Sequence, residues 1–232
     1  MARDEFFRDI RRAVSFMAPR VEADSPFTDV AYIERMLRGT DLWLAQCVVG
    51  AFRPEDFPEL DNGTREGLAQ AVKEFLDIAR TVSPKEPAKL DQRDAAVRPF
   101  LHIVQVVQGL VRDDWMRAST NLLGEAEGWA KEEGWPTKRY AKEVTEDFIG
   151  KYKQERLVFS AEAQQLALVP VGRFVPGTDG AFDLAVMPAY DSVMVVRQRD
   201  RWFLHPLPEE DGRQNWSKET FVDTSLKLAR LP

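Results

Sequence analysis

The chain carries one cysteine, Cys47, and two histidines, His102 and His205, among 232 residues. A lone cysteine excludes an intrachain disulfide and any metal cluster built on cysteine ligands. Histidines in separate segments exclude the helix-spaced ligand pair of an H-E-x-x-H site. Long apolar runs are missing too, since no stretch approaches the ~18 apolar residues of a membrane span. The opening segment MARDEFFRDIRRAV mixes acids among its bases and has no continuous apolar core, so it does not read as a secretory signal. These absences point to a soluble protein of a reducing compartment, and a cytoplasmic location is expected.

No phosphate-cradling glycine loop is present. The nearest stretch, PGTDG, lacks a following Lys-Ser/Thr and does not open a helix after a buried strand, so it reads as a turn. Neither serine nor cysteine occurs in a nucleophile-elbow context. Positive charge is not in excess, with Lys+Arg at 32 against Asp+Glu at 38 and a net charge of -6. That balance argues against a broad phosphate-binding face, so a nucleic-acid partner ranks below a protein one. No cofactor is expected.

What remains is an ordinary globular composition, 44% hydrophobic and 30% charged, long enough to bury roughly 70 to 75% of its unfolded surface. Helical periodicity dominates the first two thirds. Phe6, Ile10, Val14 and Met17 recur every three or four residues, Ser25-Pro26 offers a helix start, Gly39 a stop and Thr40-Asp41 a restart. From Thr64, which can cap, Leu68, Val72, Phe75, Leu76 and Ala79 form an apolar stripe. After the loop SPKEPAKLD the next helix is expected to begin near Pro99, because proline suits a first turn and breaks or kinks an interior. A further helix is expected from Asp113 or Asp114, with Trp115, Ala118, Leu122, Ala126 and Trp129 on its buried seam. In EGWAKEEGWPTKRYAK, Gly134 then takes a left-handed turn, Trp135 folds back on the helix and Pro136 prevents continuation.

Past about Gln154 the texture changes to short runs rich in Val and Phe, separated by turn signals such as PGTDG and MPAYD, as in an antiparallel sheet. Alternation places Phe182, Leu184 and Val186 on one face and Asp183 and Ala185 on the other. The runs around Arg199-Asp200 form a hairpin, with Trp202 and Leu204 on one face and Phe203 and His205 opposite. Ser217 caps a closing helix. The expected fold is α+β: a mainly helical N-terminal two thirds (residues 1–153), then a small antiparallel β-sheet with a closing C-terminal helix (residues 154–232), packed together as one compact unit.

The candidate binding residues are Lys138, Arg139, Tyr140 and Lys142, where cations interleave with an aromatic ring, together with His205 in the hairpin strand. Glu143, Glu146, Asp147 and Glu155 offset most of the charge in that tract. An alternative enzyme site would draw on Asp183, Asp191 and His205, titratable groups that a cleft could gather. With Asp179, the aspartates raise an oxygen-ligand site for magnesium. GAFDLAV followed by DSVMVVRQR resembles the strand pair of restriction-type nucleases, but Arg197 and Arg199 stand where that pattern needs an acid and a lysine, and Arg197 would repel the metal. Asp179 and Asp191 read more simply as turn residues, and His102 as a surface imidazole. The expected function is that of a soluble, non-catalytic interaction or regulatory protein that binds another macromolecule, a protein first. A hydrolase or metal-dependent nuclease-like enzyme is the alternative.

Overall fold

Asp61 starts a helix because its carboxylate reaches forward to the exposed backbone donors of the first turn: Thr64 N–H donates to Oδ1 at 2.9 Å and the Thr64 hydroxyl to Oδ2 at 2.6 Å. This helix, α1 (Asn62–Ala79), therefore begins two residues before Thr64, which supports the cap. The computed structural model describes residues 7–9, 46–51, 53, 57–82, 89–146, 148–188, 191–205 and 212–230. The stripe from Phe6 to Met17 is described only at residues 7–9, which are helical; Ser25-Pro26, Gly39 and Thr40-Asp41 lie outside the described residues.

The chain divides into two compact units, one of residues 1–111 with 147–150 and one of residues 112–146 with 151–232. In the first, α1 buries Leu68, Ala71, Phe75 and Ala79, and Phe75 meets Phe100 with ring centroids 5.2 Å apart. Phe100 belongs to helix α2 (Leu90–Glu132), whose residues as far as Val111 lie in this unit. Ala96, Phe100, Ile103, Val104, Val107 and Val111 recur at helical spacing and are all buried. Phe148 and Ile149 are buried in the same unit, and Gln108 Nε2 donates to the Phe148 carbonyl at 2.9 Å. The helix starts nine residues before Pro99, which sits in its interior. Proline there lacks the N–H that would bond the preceding turn, a local loss that the buried faces around it outweigh. Neither is there a break at Asp113 or Asp114; α2 is continuous for 43 residues.

In the second unit α2 ends as its terminal residues dictate. Gly134 adopts φ +74°, Gly134 N–H bonds the Lys131 carbonyl at 3.0 Å and Trp135 N–H the Ala130 carbonyl at 2.8 Å, which satisfies carbonyls the helix leaves unpaired. Trp135 then stacks on Phe159 at 5.7 Å.

The expectation of a helical two thirds followed by a small sheet from residue 154 is overturned here. A seven-stranded antiparallel sheet begins at residue 137: β1 (Thr137–Glu146), β2 (Gly150–Ala161), β3 (Gln164–Gly172), β4 (Ala181–Met187), β5 (Ser192–Gln198), β6 (Arg201–Leu204) and β7 (Gln214–Asn215), each beside its sequence neighbour. The charged tract from Thr137 to Arg156 is two strands. Its alternation is hidden because β1, at the sheet margin, leaves Tyr140, Ala141, Lys142 and Glu143 all exposed, and the inward phase of β2 slips between Gln154 and Leu157.

The inner side of the sheet carries Leu157, Leu168, Leu184 and Val193 in one cross-strand row, and Phe182, Val195 and Leu204 in the next. Trp115 of α2, fully buried, lies against it with centroids 5.6 Å from Phe182 and 6.2 Å from Trp202; burying an aromatic this fully contributes about 1.5–3 kcal/mol. Helix α3 (Lys218–Ala229) closes the unit, capped by Ser217 with a reciprocal Thr220 bond. It places Phe221 5.3 Å from Phe159 and 5.8 Å from Trp129.

Candidate functional site

Direction along β1 is set by Arg139. Its Nε donates to Glu127 of α2 at 2.7 Å and its Nη1 to Glu155 of β2 at 3.0 Å, so the side chain turns toward the helices and is 25% exposed. Glu127 is held charged below the usual carboxylate range, chiefly by its bond from Lys131 and then by Arg139. Arg139 is thus a strut inside the unit rather than part of the exposed set.

Tyr140, the next residue, points to the outer side by strand alternation. Its ring, 39% exposed, has Lys138 Nζ at 4.9 Å and the Arg156 guanidinium at 5.4 Å from its centroid, distances at which a cation is attracted to an aromatic face. Lys142 is exposed on the same strand.

On the same outer side, Asp183 of β4 stands opposite Val169 of β3 and Met194 of β5. His205 continues the row, its N–H donating to the Met194 carbonyl at 2.8 Å. Burial raises the Asp183 carboxyl above its usual value, while His205 and Met194 are exposed. Two strand spacings of about 4.8 Å separate Asp183 from His205, with Met194 between them. Asp191 lies apart, exposed in the β4–β5 connection, where its carbonyl accepts from Val186 N–H at 2.9 Å. The structure therefore aligns Asp183 and His205 on one face without joining them, and does not bring Asp191 to either. Among the described residues no three His, Cys, Asp or Glu side chains are grouped to hold a metal ion. His102 is exposed on α2.

The outer side is also cationic at its far margin. Arg213 lies 5.4 Å over the Phe203 ring, and Arg201, exposed, points outward opposite to its inward neighbour Trp202. Lys138, Arg156, Arg201 and Arg213 thus share a face with the half-buried Asp183, against the negative charge of the whole chain.

A second polar assembly, at the end of the sheet, was not legible in the sequence. Asp114 of α2 receives Arg197 Nη1 at 2.7 Å and Nη2 at 3.4 Å, and Arg173 Nη2 lies 3.9 Å away. Arg173 Nη1 donates to the Asp179 carbonyl at 2.6 Å, and the Asp179 carboxylate accepts from Arg199 N–H at 3.0 Å. That bond ties down a hairpin in which Arg199 and Asp200 both have positive φ, 47° and 64°, a conformation costly outside glycine. Beside it, Trp115 Nε1 donates to the Tyr152 hydroxyl at 3.0 Å, and that hydroxyl donates to Glu146. Burial and the Glu146 carboxylate push the Tyr152 phenol up. Every charge in this assembly has an opposite or a hydrogen-bond partner within the fold, so its role is to fix α2 on the strand ends. Only Gly180 hints at it in the sequence, since a Cβ there would run into the Trp115 ring.

Among the described residues no helix is long and apolar enough to cross a membrane. No protein-family model, curated protein or solved structure matches this chain.

Proposed function

We propose that the protein is a non-catalytic interaction or regulatory module that binds an acidic surface or segment of another protein on the outer side of its sheet, centred on Tyr140. The observation that carries this reading is the exposed Tyr140 ring flanked by Lys138 and Arg156. It combines an amphipathic aromatic anchor and an arginine, both enriched at protein interfaces, with a lysine, and among the described residues neither cation has a salt-bridge partner. Arg201 and Arg213 extend the positive potential across the face, favouring an acidic partner and faster encounter with it. A cytoplasmic site of action belongs to the same proposal, on the strength of the single exposed Cys47, and cell fractionation tests it.

The test is a photo-reactive amino acid at position 140, with one at Asp223 on α3 as control. An acidic partner should be captured from position 140 alone, and the combined change Lys138→Glu, Tyr140→Ala, Arg156→Glu should abolish its binding to purified protein without altering the melting temperature. Equal capture from both positions, or unchanged affinity of the triple variant, refutes the reading. The hydrolytic alternative would use Asp183 and His205, which share this face; it predicts that Asp183→Asn or His205→Ala abolishes the cellular phenotype while the triple variant retains it.

A further inference from the structure

We infer that β1 is the site of pairing with a second copy of this chain, forming a two-fold dimer in which two β1 strands run antiparallel and join their sheets. Among the described residues β1 has a strand neighbour on one side only, β2. It is ten residues long and uninterrupted by proline, so its outer edge offers a row of backbone N–H and C=O groups that template another strand.

The sequence of the strand selects both occupant and register. With Ala141 facing Ala141 of the second copy, Arg139 faces Glu143, Tyr140 faces Lys142, Lys138 faces Val144 and Thr137 faces Thr145. Each two-fold contact then repeats a Tyr140–Lys142 cation–aromatic pair and sets Glu143 beside Arg139, whose guanidinium already binds Glu127 and Glu155, and no like charges meet; directly opposed residues are the unit of cross-strand stabilisation. Neighbouring registers fail this condition. Centring on Lys142 sets lysine against lysine, centring on Tyr140 sets Lys138 against Lys142, and centring on Glu143 sets glutamate against glutamate. The charges that would otherwise discourage edge association instead exclude these neighbours, and of the registers free of like-charge contacts the one centred on Ala141 pairs the most strand residues. Ala141, small and exposed, leaves the two backbones space to approach at the axis. The pairing uses the backbone edge and shares Tyr140 with the face proposed for an acidic partner, so it is tested at Ala141 and Glu143, outside the triple variant.

Sedimentation equilibrium of the full chain should show a dimer that Ala141→Lys and Glu143→Lys each convert to monomer, both positions being exposed and the folded circular dichroism spectrum unchanged. In a Cys47→Ser background, Ala141→Cys should cross-link rapidly between chains under mild oxidation, because residues facing each other at the axis lie within disulfide reach. Asp223→Cys should cross-link only at the collision rate. A wild-type chain that is monomeric up to millimolar concentration overturns the proposal. So does a dimer that survives Ala141→Lys, or a position 141 thiol that reacts no faster than one at 223.

Discussion

Asp114 and Arg197 are 83 residues apart in sequence and meet in a two-pronged contact, Nη1 at 2.7 Å and Nη2 at 3.4 Å from the carboxylate oxygens. Their side chains are 13% and 4% exposed, so neither charge has much water to fall back on. A buried ion pair contributes modestly against an apolar replacement of both partners, whereas loss of one partner strands the other.

Arg197→Ala or Asp114→Ala should therefore destabilise the fold by at most about 3–5 kcal/mol, since Arg173 stays beside Asp114 and Asp200 beside Arg197, and the double change Asp114→Leu, Arg197→Met should cost much less than the sum of the two. Urea unfolding followed by tryptophan fluorescence measures both. Additive effects would show that the two side chains act separately.

Gly180 has φ +132°, and a Cβ there would lie 2.3 Å from Trp115 Cζ3. Because Trp115 is fully buried and cannot withdraw, Gly180→Ala should cost at least the ~1–3 kcal/mol of an overpacked core, with backbone strain added. Gly177, at φ +78° but with nothing within 4 Å of a built Cβ, should lose only about 1 kcal/mol on the same change. Equal melting temperatures for the two variants would contradict this account.

Tyr152→Phe removes the acceptor of Trp115 Nε1 and the donor to Glu146 together. A buried indole N–H without a partner costs about 1–3 kcal/mol, so the variant should melt lower and show altered Trp115 emission. Trp115→Phe in addition should recover part of the hydrogen-bond loss, although its smaller ring leaves a cavity.

The Asp183 carboxyl is raised by burial, so the folded chain holds its proton more tightly than the unfolded chain does. Stability from this group is then complete below the unfolded value near 3.8 and is lost as pH rises through the higher folded value. Asp183→Asn should accordingly raise the melting temperature at neutral pH and give no gain below the unfolded value. Melts across that range decide it; a constant offset at every pH would place the effect elsewhere than in ionisation.

What could be read from the sequence was local. Gly134 and Trp135 announce the end of α2, Phe182, Leu184 and Val186 announce an inward strand face, and Ser217 announces α3, since each depends on residues within a turn or two. The strand character of Thr137–Glu146 escaped because alternation marks only strands with one covered face, and the margin of the sheet leaves four successive residues in water. Pro99 misplaced a helix start because local bonding was weighed without the apolar contacts on either side of it. Arg139 looked like an exposed cation until Glu127 and Glu155 came into reach, and Asp114 looked like a helix cap until Arg197 did.

The two margins of the sheet are unequal: β1 has ten residues and β7 two. A sheet with two long open edges can add molecules at both and grow into fibres, whereas an isologous contact at a single edge closes on itself. With one margin only two residues long among the described residues, the dimer inferred above would end strand-by-strand assembly at the first partner and leave no second long edge from which a polymer could grow.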